Sequence, residues 1–179
     1  MPDDSDQRTG YVDGEVDETL PEVVRDFLES GADLEEVRLN ERGKWTHEGL
    51  DFENQRIIDL FSRSVDRTDG GTWVLEVGRF TYPITIEDVG FFVERVDRST
   101  SPPTLKLSDD TQEPLDPSTL DYQPGGRLYC TIKDGDFRAR FKRTAYFQLA
   151  ELMDETDDGR VVVRMDGKTY DLGDVDKMG

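Results

Sequence analysis

Two periods of apolar residues run along this chain, and where each holds predicts its elements. Between Leu20 and Ser30, Val23, Val24, Phe27 and Leu28 recur at helical spacing. Asp17 or Thr19 can cap this helix, Pro21 suits its first turn and Gly31 ends it. From Val37 to His47 the period changes to two. That change predicts two short strands around a turn at Glu41 to Gly43. Ile57, Leu60 and Phe61 restore the helical period over about Glu53 to Ser64. Two more strands, Thr72 to Val77 and Phe80 to Ile86, meet at a tight Gly78-Arg79 turn.

The same order returns downstream. Leu128 to Ile132 and Asp136 to Phe141 read as strands around Lys133-Asp134-Gly135. A helix is expected over about Thr144 to Met153. Strands Val161 to Met165 and Lys168 to Leu172 then enclose Asp166-Gly167, a strong hairpin signal. Leu60 to Gly70 spans the same ten residues as Leu149 to Gly159, and Gly70 to Gly78 the same eight as Gly159 to Gly167. The reading is an α+β fold of duplicated β-hairpin–helix–β-hairpin units forming two small β-rich halves. Its parts are a disordered acidic tail over residues 1–18, an N-terminal half over 19–98, connecting strands and loops over 99–126, and a C-terminal half over 127–179. Further strand is expected over Pro83 to Val96, and loops at Ser99 to Pro103 and Asp109 to Pro117.

Charge narrows the function classes. The 179 residues carry 41 acids against 22 lysines and arginines, a net charge of −19. Acids spread along the whole chain suggest a halophilic protein, because self-repulsion in dilute buffer is relieved by molar salt. No basic face is available for non-specific nucleic-acid binding. No apolar run approaches the ~18 residues of a membrane-spanning helix. The first ten residues lack the basic start and apolar centre of a signal peptide, so a cytoplasmic location is expected.

Reactive chemistry is sparse. Cys130 is the only cysteine and reads as a buried structural thiol; it can form neither an internal disulfide nor a multi-cysteine metal site. His47 is the only histidine, which argues against a metal centre. Asp154 to Gly159 begins like a calcium loop, but its twelfth position is Met165, where a bidentate glutamate is needed. Glu87 and Asp88 are neighbours on a strand and point to opposite faces. No glycine-rich phosphate loop, G-x-S-x-G or H-E-x-x-H occurs. No cofactor and no catalytic residue is assigned. Two groups remain. Trp45 and His47, two apart on one strand, could stack and read a base. Arg138, Arg140 and Arg143 form the one dense basic patch, and guanidinium forks suit phosphate or carboxylate.

Several segments, in order, resemble a known family. Arg42 to Gly49 looks like the G-x-W-x-(aromatic or His)-x-G opening of the uncharacterised family called domain of unknown function 1285. Leu60-Phe61-Ser62 falls at its L-F-[SA] helix, and Ile84 to Phe91 is similar to its V-x-[IV]-E-D-A-P-F segment. Asp134 to Phe141 and Arg143 to Leu149 resemble its G-L-E-A-R-I strand and R-x-x-F-Y-x-L helix. The resemblance covers about Leu34 to Gly173. It implies a duplicated motif, a C-terminal half like pleckstrin-homology domains, and an interdomain groove for a nucleotide-like molecule in signalling. Val89-Gly90 stands where the family has A-P, and Arg138 where it has an acid. The expectation is a non-catalytic ligand-binding or signalling module. Its groove would hold a small anionic molecule between Trp45, His47, Arg138, Arg140 and Arg143. The rival is a protein-interaction scaffold without a small-molecule site. No membrane partner is expected, and the sequence names no protein partner.

Overall fold

The structure, a computed structural model, describes residues 8–174. The chain divides into two compact units, Met1–Gly90 and Phe91–Gly179.

In the first unit, β1 (Tyr11–Val12) and β2 (Glu15–Val16) form a hairpin. Residues 1–7 of the expected disordered tail lie outside the described residues; from Tyr11 the tail is instead folded. Its turn is Asp13-Gly14, both with positive φ (51° and 82°), the pattern a two-residue hairpin needs. Helix α1 (Glu22–Glu29) follows where the periodicity placed it, and Gly31 at φ 81° ends it. Leu28 and Val24 pack with Leu20, Val74, Tyr11 and Val16 into a local core. Strands β3 (Val37–Leu39), β4 (Trp45–His47) and β5 (Leu50–Asp51) precede α2 (Gln55–Ser64). Asn54 caps α2 by accepting from the Arg56 amide at 3.0 Å. Next come β6 (Val65–Arg67), β7 (Trp73–Val77), β8 (Phe80–Pro83) and β9 (Thr85–Ile86). One sheet has the order β5-β4-β3-β9, with β9 parallel to β3; the other is the meander β6-β7-β8.

The second unit opens with β10 (Phe91–Asp97), β11 (Thr104–Leu107), β12 (Gln112–Pro114), β13 (Asp121–Gln123), β14 (Arg127–Ile132) and β15 (Phe137–Phe141). Together they make a six-stranded sheet of order β12-β11-β10-β15-β14-β13. Helix α3 (Arg143–Ala150) leads into the meander β16 (Met153–Glu155), β17 (Arg160–Met165) and β18 (Lys168–Asp174). The residues read as connecting segments thus belong to this unit's main sheet, because β10 pairs in parallel with β15, Phe91 opposite Ala139. Helix α3 also stops short of the expected Met153, which begins a strand. Val93, Leu105, Leu107, Leu128, Cys130, Ala139, Ala145 and Leu149 are buried and form the core. Each large aliphatic among them contributes about 1.5–3 kcal/mol by leaving water.

The two meanders share one register. Val65 pairs with Leu75 and Met153 with Val163; Val77 pairs with Phe80 and Met165 with Lys168. Every one of these partners stands 88 residues from its counterpart, as do the helix starts Gln55 and Arg143. The spacing read from the glycines was 89. The difference puts Phe61, not Leu60, at the position of Leu149. Leu60 is 38% exposed whereas Leu149 is fully buried.

Candidate functional site

The five residues singled out in the sequence fall into two groups, one in each unit. On β4, Trp45 is only 3% exposed. Its indole N–H donates to Ser62 Oγ at 3.1 Å, and Phe61 meets it edge-on at 5.5 Å. Burial and these partners make it a core side chain, with no open ring face for a ligand base. His47, two residues along, is half-exposed. Its Nε2 lies 3.0 Å from Glu35 Oε2, and its ring is 6.1 Å from Phe52.

On β15, Arg138 and Arg140 flank the buried Ala139, so they lie on the opposite face from it, as strand alternation requires. Arg138 donates to Asp121 Oδ2 at 2.7 Å, and its guanidinium lies 3.6 Å above the Tyr129 ring. Its fork is therefore engaged by two strands, by β13 at its edge and by β14 at its face. Arg140 is half-buried opposite Tyr129 in the ladder. Arg143 opens α3, exposed, with its guanidinium 5.6 Å from the Phe147 ring one turn on. Among the described residues it has no carboxylate partner.

Two neighbouring cations are also taken up. Lys142 reaches Glu94 at 3.2 Å and Lys133 reaches Asp109 at 2.7 Å. The basic patch that stands out along the sequence is, in the fold, largely a set of intramolecular pairs.

Cys130 is buried, and its thiol is pushed up to about 12, by burial first and then by Glu113 and Asp116. A thiol this hard to ionise is no nucleophile at neutral pH. Among the described residues, no three His, Cys, Asp or Glu side chains converge as a metal-binding set.

A different feature of the first unit is open to solvent. A cavity of about 620 Å³ lies between α1 and β8, walled by Val23, Phe27, Leu34, Phe80 and Tyr82. Val23 is 75% exposed and Phe80 80% exposed. The origin of this surface is local. The apolar arc of α1 is wider than one packing contact requires: Val24 and Leu28 enter the core, which leaves Val23 and Phe27 outside it. Phe80 follows the Gly78-Arg79 turn directly, at the tip of the hairpin. Tyr82 is tethered by its hydroxyl, which donates to the Glu35 carbonyl at 2.6 Å. Sequence reasoning missed this surface because four apolar residues on a short helix look alike until one knows which two are buried. The only signal was the width of the arc.

No family model matches the sequence, and no curated protein matches it. Solved structures do. A DUF1285 family protein from Silicibacter pomeroyi has a TM-score of 0.58 and 17% identity, over 79% of this chain and 81% of that one. A DUF1285 family protein from Shewanella baltica has a TM-score of 0.51 and 16% identity, over 66% of this chain and 92% of that one. At such identities the likeness is one of fold, and it agrees with the family resemblance of the motifs.

Proposed function

We propose that this chain is a non-catalytic binding module of the DUF1285 type that acts as a protein-interaction element. The observation that carries this reading is the pairing of its surface chemistry. The arginines suited to an anion are mostly engaged within the fold, whereas large apolar side chains around α1 and β8 are open to solvent. Exposed apolar clusters on acidic, charge-rich proteins mark interaction surfaces. The common register of the two meanders supports descent from one duplicated unit, and the pleckstrin-homology likeness of the second half stays attached to the family proposal.

The second reading is the small anionic ligand expected from the sequence, held by Arg138, Arg140 and Arg143 with Trp45 and His47. What favours it is Arg143, exposed at a helix start with no described carboxylate partner. A thermal-shift screen of nucleotides and inorganic phosphate in high salt separates the two. A ligand that binds the folded state raises Tm with its concentration. The interaction reading expects no shift. A concentration-dependent rise that Arg143→Ala abolishes would replace it with the anion reading.

Halophily and a cytoplasmic location belong to the same proposal, supported by the net charge of −19. Tm should climb steadily from dilute buffer to molar potassium chloride, since screening relieves self-repulsion. A flat profile would remove halophily from the proposal.

A further inference from the structure

We infer that the apolar cavity between α1 and β8 docks a basic, amphipathic segment of a partner protein. The inference rests on the interaction reading above and names the surface and the chemistry of the partner. Two features fix the occupant. The first is apolar area: Val23 and Phe27 are one turn apart on α1 and face Phe80 and Tyr82, so the cavity can take successive apolar side chains from one face of a helix.

The second is the charge around it. On α1 the row next to Val23 and Phe27 is Glu22 and Asp26, both exposed. Asp33 and Glu35 stand on the cavity's other wall. Against these acids the lining has one cation, Arg79. Asp33 already holds the Arg8 guanidinium at 3.2 Å, and Glu35 Oε2 lies 3.0 Å from the His47 Nε2, so both acids already engage basic side chains. A segment with Lys or Arg beside its apolar stripe therefore meets opposite charge, and long-range attraction speeds its arrival.

Other occupants fit less well. A second copy of the chain brings another net charge of −19. The chain's own first seven residues carry three aspartates and no lysine or arginine. An acidic or neutral partner leaves the rim uncompensated.

The test uses synthetic helical peptides of about 18 residues, long enough to hold a helix. One has leucines at i, i+3, i+4 and i+7 with lysines elsewhere. The others replace lysine by glutamine or glutamate. Binding to the full chain is followed by fluorescence anisotropy, at the lowest salt that keeps the native circular dichroism. The lysine peptide should bind, the glutamine peptide at least several-fold more weakly, and the glutamate peptide not at all. Phe80→Asp and Val23→Asp, both at exposed positions, should each weaken the lysine peptide about tenfold or more, the scale of an interface hot spot. Leu50→Asp, equally exposed but outside the cavity, should leave it unchanged.

Equal losses at all three positions, or none, would show that the peptide merely coats an acidic surface, and would overturn the docking site. So would dimerisation that Phe80→Asp abolishes, which would assign the surface to a second copy. If no peptide binds while the nucleotide screen is also silent, the docking site falls but the interaction reading stands. Arg143-dependent stabilisation by nucleotides would instead remove the interaction reading itself.

Discussion

Loop 68–72 in the first meander and loop 156–160 in the second are built on the same backbone plan. The Thr68 amide donates to the Thr72 carbonyl at 2.9 Å, and the Thr156 amide to the Arg160 carbonyl at 2.8 Å. Gly71 and Gly159 each donate to the threonine carbonyl three residues back, and both have positive φ, 101° and 80°. The threonine hydroxyls accept alike, from the Thr72 and Arg160 amides. The loops differ in what else holds them. Asp17 lies buried against loop 68–72. Its Oδ2 accepts from the Thr68 and Thr72 hydroxyls at 2.6 Å each, and its Oδ1 from the Thr19 amide and hydroxyl. Loop 156–160 is held instead by its own Thr156 to Asp158 contact and by Arg160, which donates to Asp171 Oδ2 at 2.6 Å and to Asp174 Oδ1 at 3.3 Å on β18.

The difference explains a residue. Position 70 is glycine because a Cβ there would lie 2.1 Å from Asp17 Oδ1. The residue 88 positions on is Asp158, an exposed side chain. One glycine of the Gly70-Gly71 pair answers to a neighbour and the other to the turn.

The strongest way to break this comparison is Asp17→Ala. It should destabilise the fold by about 3 kcal/mol, because it strips a charged acceptor from the buried Thr72 and half-buried Thr68 hydroxyls and from the amide and hydroxyl of the exposed Thr19. Asp158→Ala should change stability by less than about 0.5 kcal/mol, as an exposed loop position does. Urea titrations of both variants check the contrast, and equal losses would defeat it.

A pH titration sharpens the point. Burial raises the Asp17 pKa, but the hydrogen bonds from Thr19, Thr68 and Thr72 outweigh burial and hold it well below the ordinary carboxylate range. A depressed folded-state pKa gives stability that is present above the unfolded value, near 4, and lost as pH falls below it. Wild-type stability should therefore decline below about pH 4 more steeply than that of Asp17→Ala. Parallel curves would count against the assignment.

Next in size is Gly70→Ala, which should cost about 2 kcal/mol by forcing Asp17 aside. The mirror change, Asp158→Gly, should cost only a few tenths through added chain freedom, on the scale of about 0.5 kcal/mol.

The smallest effects belong to the tight turns. Gly78 has φ 61° and Arg79 does not lie in the left-handed region, whereas Asp166 and Gly167 both do, at 51° and 72°. The hairpins are thus closed by two different two-residue turns at equivalent positions. Gly78→Ala and Gly167→Ala should each cost about 1 kcal/mol. Replacing Gly78-Arg79 by Asn-Gly should be nearly neutral and leave the register intact. A thermal melt with backbone amide shifts would show whether it does.

The turns also show why the common spacing of the two meanders was legible in outline but misread by one residue. Helical periods located α1, α2 and α3, and the Asp-Gly signal located the β17–β18 hairpin. Matching Gly78 to Gly167 aligned the glycines, but in the ladder Gly78 stands opposite the place of Asp166. Glycine marks a positive φ, and two turn types put that φ at different positions. Strands β12 and β13 were hidden because their residues are polar and sit toward the ends of the sheet, where no apolar alternation is needed. The β1–β2 hairpin was hidden by acidic composition, though Asp13-Gly14 carried the turn signal.

The candidate site was less legible. Sequence spacing placed Arg138 and Arg140 correctly on one strand face. It could not show that Asp121 and Tyr129, brought up by neighbouring strands, would occupy Arg138. Nor could alternation show that Trp45 would turn inward to Ser62 and Phe61.

The Asp17 clasp has one more consequence. It joins residues 51 and 55 positions apart, Thr68 and Thr72, in a chain whose single cysteine cannot cross-link to another within it. It is a staple opened by protons instead of reductants. A disulfide acts largely by restricting the unfolded chain; this staple leaves the unfolded chain unrestrained, so all of its effect resides in the native state. The leading arm is thereby part of the folded unit. A chain trimmed to begin after Asp17 would lose the fastening of a hairpin loop some fifty residues away.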